Sequence, residues 1–126
     1  MKKMTLFVGI LVMVLVFGMT VVGCDDDTST ITSIPDIPGG VWADGGAFDV
    51  ILVYWSRVHG ADGYRIYRST SENGEYLYRG NRGNSGSLTY SDWGVTPGVT
   101  YYYKVSAYNK AGESAMSPIP GSATAL

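Results

Sequence analysis

The sequence contains one cysteine and one histidine. A disulfide within the chain is therefore impossible, and so is a metal site built from Cys and His ligands. Any catalytic triad has only His59 to draw on. Charge is scarce too, at 16% of residues, while 45% are apolar, so a packed core is expected rather than disorder. A basic excess is missing. The chain carries nine Lys and Arg against eleven Asp and Glu, and from Ile37 onward the count is seven against seven. Such a domain has no bulk electrostatic attraction for nucleic acid or anionic membranes. Beyond residue 24 no stretch keeps a helical period.

One long apolar run is present. Lys2 and Lys3 precede an uncharged, mostly apolar stretch that ends at Gly23. This is the layout of a secretory signal peptide, expected as a helix, although about 20 apolar residues could also span a bilayer. The ending separates the two. Val21-Val22-Gly23-Cys24 resembles the bacterial lipobox and holds the only cysteine. That resemblance implies diacylglycerol on Cys24, cleavage before it and attachment to a bacterial cell membrane through two or three acyl chains. The domain would then face the periplasm or the exterior. The implied organisation is a signal peptide over 1–23, a lipidated Cys with an acidic, Ser/Thr-rich flexible tether over 24–36, and a folded domain over 37–126.

From Ile37 onward, turn signals recur every few residues: Pro38-Gly39-Gly40, Asp44-Gly45-Gly46, Asp62-Gly63, Asn73-Gly74, Pro97-Gly98 and Ala111-Gly112. The runs between them are short and rich in Val, Ile, Tyr and Thr. They predict strands near 40–44, 48–56, 63–69, 75–79, 87–92, 99–109 and 117–124, an all-β sandwich. Residues 80–86 hold three Gly and two Asn and predict a mobile loop, with Arg79 and Arg82 as solvated cations.

Several motifs stand in a recognisable order. Val53-Tyr54-Trp55, then Val58 to Ser69, then Tyr90-Ser91-Asp92, Val95-Thr96-Pro97-Gly98 and Tyr101 to Ala107 resemble successive strands of a fibronectin type III domain. The resemblance implies a seven-stranded sandwich without a disulfide, Trp55 as core tryptophan and Tyr101 as tyrosine corner. The pleat then places Ile51, Val53, Trp55, Tyr64, Ile66, Leu88, Tyr90, Tyr101, Tyr103, Val105 and Ala107 inward.

Two outward faces are candidate sites. On the larger sheet, Arg65, Tyr67, Tyr102, Lys104 and Tyr108 combine rings with cations, and can stack on sugars or anchor a protein. For this they must be exposed together. On the smaller sheet, Trp42, Val50, Leu52 and Tyr54 form an apolar alternative. His59 lies three residues before Asp62 in a turn with no nucleophile placed beside it, and Asp44, Asp62 and Asp92 read as turn chemistry. No catalytic residue, no metal ligand and no cofactor beyond the lipid on Cys24 is expected. The function expected is a lipid-anchored, non-catalytic module for protein interaction or spacing, with a carbohydrate-binding surface as the alternative. Its partners would be the membrane and an envelope protein or glycan, not nucleic acid.

Overall fold

A computed structural model of the chain describes residues 33–126. The signal segment, Cys24 and the tether to residue 32 lie outside the described residues. Every regular element described is a strand: β1 (Trp42–Ala47), β2 (Val50–Tyr54), β3 (Gly63–Ser69), β4 (Leu77–Gly83), β5 (Thr89–Trp93), β6 (Thr100–Asn109), β7 (Gly112–Glu113) and β8 (Gly121–Thr124). One antiparallel sheet runs β1-β2-β5; the other runs β8-β6-β3-β4, with β7 also on β6. Because β7 and β8 share β6 as partner, they make one interrupted lane, and the sandwich has the seven lanes that the turn spacing predicts.

Serine chemistry carries the chain across that interruption. The Ser114 and Ser117 hydroxyls accept from the Ala107 and Val105 N–H groups at 3.0 and 3.1 Å. Their own N–H groups donate to the carbonyls of the same two residues at 2.7 and 2.9 Å. The edge stays paired although Pro118 and Pro120 have no N–H to give.

The inward residues meet as the pleat predicts. Ile51, Val53 and Trp55 from one sheet pack with Tyr64, Ile66, Tyr101, Tyr103, Val105 and Ala107 from the other, and Leu88 and Tyr90 lie partly buried at the margin. Trp55 tilts against Tyr64 with ring centroids 5.4 Å apart. The Tyr101 hydroxyl accepts from the Thr96 N–H at 2.9 Å. That closes the tyrosine corner over the Pro97-Gly98 turn, where Gly98 takes φ 85°. Contact with the domain begins ahead of Ile37. Pro35 is buried, and the Ser33 carbonyl accepts from the Asn109 amide at 2.9 Å.

Asp92 departs from the expectation of turn chemistry. It lies on β5 opposite Ile51, inward and 0% exposed. Its Oδ1 accepts from Arg79 Nη2 at 2.8 Å and Nε at 3.2 Å; its Oδ2 accepts from Arg68 Nη1 at 3.0 Å and the Tyr103 hydroxyl at 2.6 Å. All three donors belong to the other sheet. One carboxylate thus ties β5 to β3, β4 and β6. Burial, reinforced by the Asp92 hydrogen bond, keeps the Tyr103 hydroxyl protonated far above its usual 10.

The expected loop at 80–86 is also corrected. Residues 80–83 continue β4, paired to β3 through Gly63↔Gly83, Arg65↔Asn81 and Ile66↔Gly80. Arg79 is not a solvated cation but half of an ion pair with buried Asp92. The remaining turn is pinned. Asn84 Oδ1 accepts from the buried Tyr64 hydroxyl at 2.6 Å and from Arg57 at 3.0 Å. Asn84 Nδ2 donates to the Ala61 carbonyl at 2.8 Å, and Arg57 Nη2 reaches the Gly86 carbonyl at 3.1 Å. A Gly/Asn-rich composition predicts mobility only when such partners are missing.

Two outcomes follow for stability. Asp92→Asn leaves two guanidinium groups facing an amide and should destabilise by about 3 kcal/mol, the low end for a broken buried pair because both arginines keep some water; a urea midpoint shift at constant m measures it. Asn84→Ala leaves the Tyr64 O–H, which still accepts from the Val58 N–H, without an acceptor for its own proton, and should lose about 1–3 kcal/mol. Amide exchange of residues 84–86 should accelerate in that variant, and unchanged protection would mean the Asn84 contacts do not order the turn.

Candidate functional site

The larger sheet brings its sequence-marked residues together on one outer face. The register sets Tyr67 beside Lys104, Arg65 beside Ser106, Gly63 beside Tyr108 and Ser69 beside Tyr102. Tyr67, Tyr102 and Tyr108 are each half-buried, not exposed as a group. Glu113, at the start of the interrupted lane, draws the face inward on itself. It pairs with Arg65 at 3.0 Å and accepts from the hydroxyls of Tyr67 and Ser106. The Arg65 guanidinium lies over the Tyr108 ring, 4.3 Å from its centroid. Lys104 Nζ stands 4.6 Å from the centroid of Tyr76, and Tyr67 meets Tyr78 edge-on at 5.9 Å. Arg65, Tyr67, Lys104 and Tyr108 therefore already have partners within the domain.

The electrostatics follow from these contacts. At Glu113 burial acts to raise the carboxyl pKa. Hydrogen bonds from Ser106 and Tyr67, together with the Arg65 charge, outweigh it and hold the group below its usual 4.5. The Tyr67 hydroxyl is raised by burial and by its bond to Glu113. Sequence reasoning did not mark Glu113. Its position beside Tyr108 at the turn into the last lane was the available signal.

The smaller sheet is different. Its outward positions in register are Trp42, Asp44, Val50, Leu52, Tyr54, Thr89, Ser91 and Trp93. Trp42 and Tyr54 stack directly, centroids 4.2 Å apart and planes 14° apart. Trp42 is 53% exposed and Trp93 65%. Phe48, in the β1–β2 hairpin beside Asp49 at φ 61°, is 82% exposed. Leu52 and Tyr54 are half-buried. Val50 corrects the expectation of an exposed patch residue: it is only 5% exposed. It stands directly across from Trp93 in register, so outward parity alone does not give exposure. The sequence reading missed Trp93 because it ended the strand at 92. The signal was the alternation itself, with Ser91 and Trp93 outward around an inward Asp92.

Other chemistry is sparse. His59 and Asp62 are both exposed in their turn. Among the described residues no group of His, Cys, Asp and Glu could hold a metal ion. Cys24, expected to be lipidated, lies outside the described residues. Within them no helix is long and apolar enough to cross a membrane.

No protein-family model matches the chain. It is 42% identical over 93 residues to an amylopullulanase of Thermoanaerobacterium saccharolyticum, covering 73% of this chain and 7% of that enzyme. An amylopullulanase of Thermoanaerobacterium thermosulfurigenes is 39% identical over 93 residues, covering 73% and 5%. The chain spans less than a tenth of the length of these relatives. Among solved structures, a mutated FN3tt domain superposes with TM-score 0.61 at 28% identity, over 73% of this chain and 97% of that one. A Fn3-like protein from Clostridium thermocellum gives 0.59 at 28%, over 77% and 96%. A β-1,2-glucanase from Parabacteroides distasonis gives 0.65 at 27%, over 79% of this chain and 14% of that enzyme. The fold is a fibronectin type III-like β-sandwich.

The Glu113 cluster sets a pH dependence. A carboxyl held below its usual pKa stabilises the fold above about 4.5 and loses that contribution as pH falls through its lower folded value. The melting-temperature gap between the wild type and Glu113→Gln should therefore narrow from about pH 5 to about pH 3. A gap that stays constant over that range would show that the cluster does not favour the ionised carboxylate.

Proposed function

We propose that this chain is a non-catalytic accessory module, held at a bacterial cell envelope by lipid on Cys24. Its fibronectin type III-like domain serves as an interaction or spacer unit there, facing the periplasm or the exterior. The carrying observation is the comparison with the amylopullulanases. About 93 residues of shared sequence, one domain's worth, match a small fraction of much longer enzymes. A unit of that kind accompanies catalysis and does not perform it. The site geometry supports the same reading: the one His is an exposed turn residue, and Asp92, the one fully buried acid among the described residues, is consumed by a structural ion pair.

The address rests on Lys2-Lys3, the apolar run and Val21 to Cys24. Acyl chains on Cys24 would supply the membrane attachment that a domain of balanced charge cannot obtain electrostatically. The balanced charge also speaks against nucleic acid as a partner. An envelope protein or glycan is the partner class that remains, and the exposed indoles of the smaller sheet favour the glycan.

Mass spectrometry of protein extracted from native membranes tests the address. The expected amino terminus is Cys24 carrying diacylglycerol, and Cys24→Ser should leave the membrane fraction and retain its signal segment. An intact Met1 terminus with a free thiol overturns the anchoring. Incubation with pullulan tests the non-catalytic reading, for which no release of reducing ends is expected.

A further inference from the structure

We propose that the outer face of the three-stranded sheet is a binding platform for an α-glucan chain. This rests on the accessory-module reading and adds to it a ligand class and the residues that would hold it. Trp42 and Trp93 are the ends of the platform. Trp42 pairs with Tyr54 across β1–β2, and Trp93 pairs with Val50 across β2–β5. Those two rows are four residue steps apart along β2, about 13–14 Å at the strand rise. A monosaccharide cannot reach both indoles, but an oligosaccharide can.

One of the two indoles is already held for a flat ligand. Tyr54 backs Trp42 at 4.2 Å and nearly parallel. Tyr54 covers one face of the indole, and Trp42 as a whole stays 53% exposed. A side chain already held in place loses little freedom on binding. A pyranose presents a face of C–H bonds, which packs on the electron-rich face of an aromatic ring.

The row between the indoles supplies the polar groups. Asp44 and Ser91 flank Leu52 on its two sides in register. A carboxylate and a hydroxyl can hydrogen-bond sugar hydroxyls over an apolar floor. The register positions of this face include no Lys or Arg. A phosphorylated or sulfated ligand would find no counter-charge, and an apolar protein surface would bury Asp44 without a partner. A neutral polyol meets neither obstacle. Among glucans, the α-linked kind is favoured because the amylopullulanase segments stand at 39–42% identity, against 27% for the β-1,2-glucanase.

The test is affinity electrophoresis of the full-length chain in non-ionic detergent, through gels containing pullulan, β-1,2-glucan or no polymer. Pullulan should retard the wild type. Trp42→Ala and Trp93→Ala should each weaken apparent affinity about tenfold, and the double variant about a hundredfold, as expected for independent sites. Tyr102→Ser, on the other sheet, should bind as wild type does. Circular dichroism and melting temperature establish that each variant folds. Trp42→Phe with Trp93→Phe keeps both rings and should recover part of the retardation. No retardation by pullulan overturns the platform, as does equal retardation of the double Ala variant or retention by β-1,2-glucan alone. Trp-dependent binding to phosphatidylcholine vesicles without retention by pullulan assigns the face to a membrane and also overturns it. Release of reducing ends from pullulan by wild type would refute the non-catalytic reading while leaving the platform standing, so the two failures are distinguishable.

Discussion

The two sheets are joined at one point by charge. Asp92 reaches from β5 through the core and accepts hydrogen bonds from Arg68, Arg79 and Tyr103, on three different strands of the opposing sheet. A carboxylate at zero exposure is expensive to desolvate, and only a full set of donors makes it tolerable. The set is full here: each oxygen has two donors. Its geometry is demanding, because one residue of slip along β5 would turn Asp92 outward and strand both guanidinium groups. Apolar contacts at the same place would hold the sheets together while tolerating such slips better. Fixing the register of β5 against β3, β4 and β6 is therefore the part of the fold that this cluster contributes beyond hydrophobic burial.

That constraint shapes the surface. Arg79 sits on β4, the sheet edge, which is mostly exposed and glycine-rich and has little apolar burial of its own. The ion pair with Asp92 gives this edge an inward attachment, and the Asn84 contacts close its far end. On the outer face of the same sheet, Glu113 organises Arg65, Tyr67 and Ser106. The larger sheet thus spends its polar and aromatic groups within itself. The smaller sheet has only three strands and no comparable acid at its centre. Its large rings stack in one pair or stand free, so the two faces of one sandwich differ in what they leave for a ligand.

The sequence made the period-two features legible. Tyr101, Tyr103, Val105 and Ala107 lie inward because a pleat leaves them no choice, and Pro97-Gly98 fixes where that strand begins. Trp55 is in the core because it continues the inward parity of Ile51 and Val53. The failures share a cause: they depend on partners distant in sequence. Asp92 looks like a turn residue until Arg68 and Arg79 arrive from other strands. Residues 80–86 look mobile until Arg57, Ala61 and Tyr64 supply donors and an acceptor. Val50 points outward by parity, and parity does not say that an indole stands beside it. For the larger-sheet face, alternation correctly grouped Arg65, Tyr67, Tyr102, Lys104 and Tyr108. What it could not show was Glu113 already holding Arg65 and Tyr67. For Asp92 the available warning was its inward parity, two residues after the inward, partly buried Tyr90.

The proposed anchoring and the proposed platform bear on one another through valency. One or two stacked sugars give weak binding by a single domain, because stacking on an exposed ring contributes only about 1–3 kcal/mol, judged from base–aromatic stacking. An α-glucan repeats its binding unit along its whole length. Under the proposed lipid attachment, many copies of the domain share one membrane plane. After one copy engages a chain, its neighbours meet the same polymer at high effective concentration, and the avidity can exceed the single-site affinity by orders of magnitude. Weak individual sites then hold a polymer while letting each segment exchange quickly. If the module serves glucan processing as proposed, that exchange is required, since a chain bound tightly at one point could not be passed on to an enzyme.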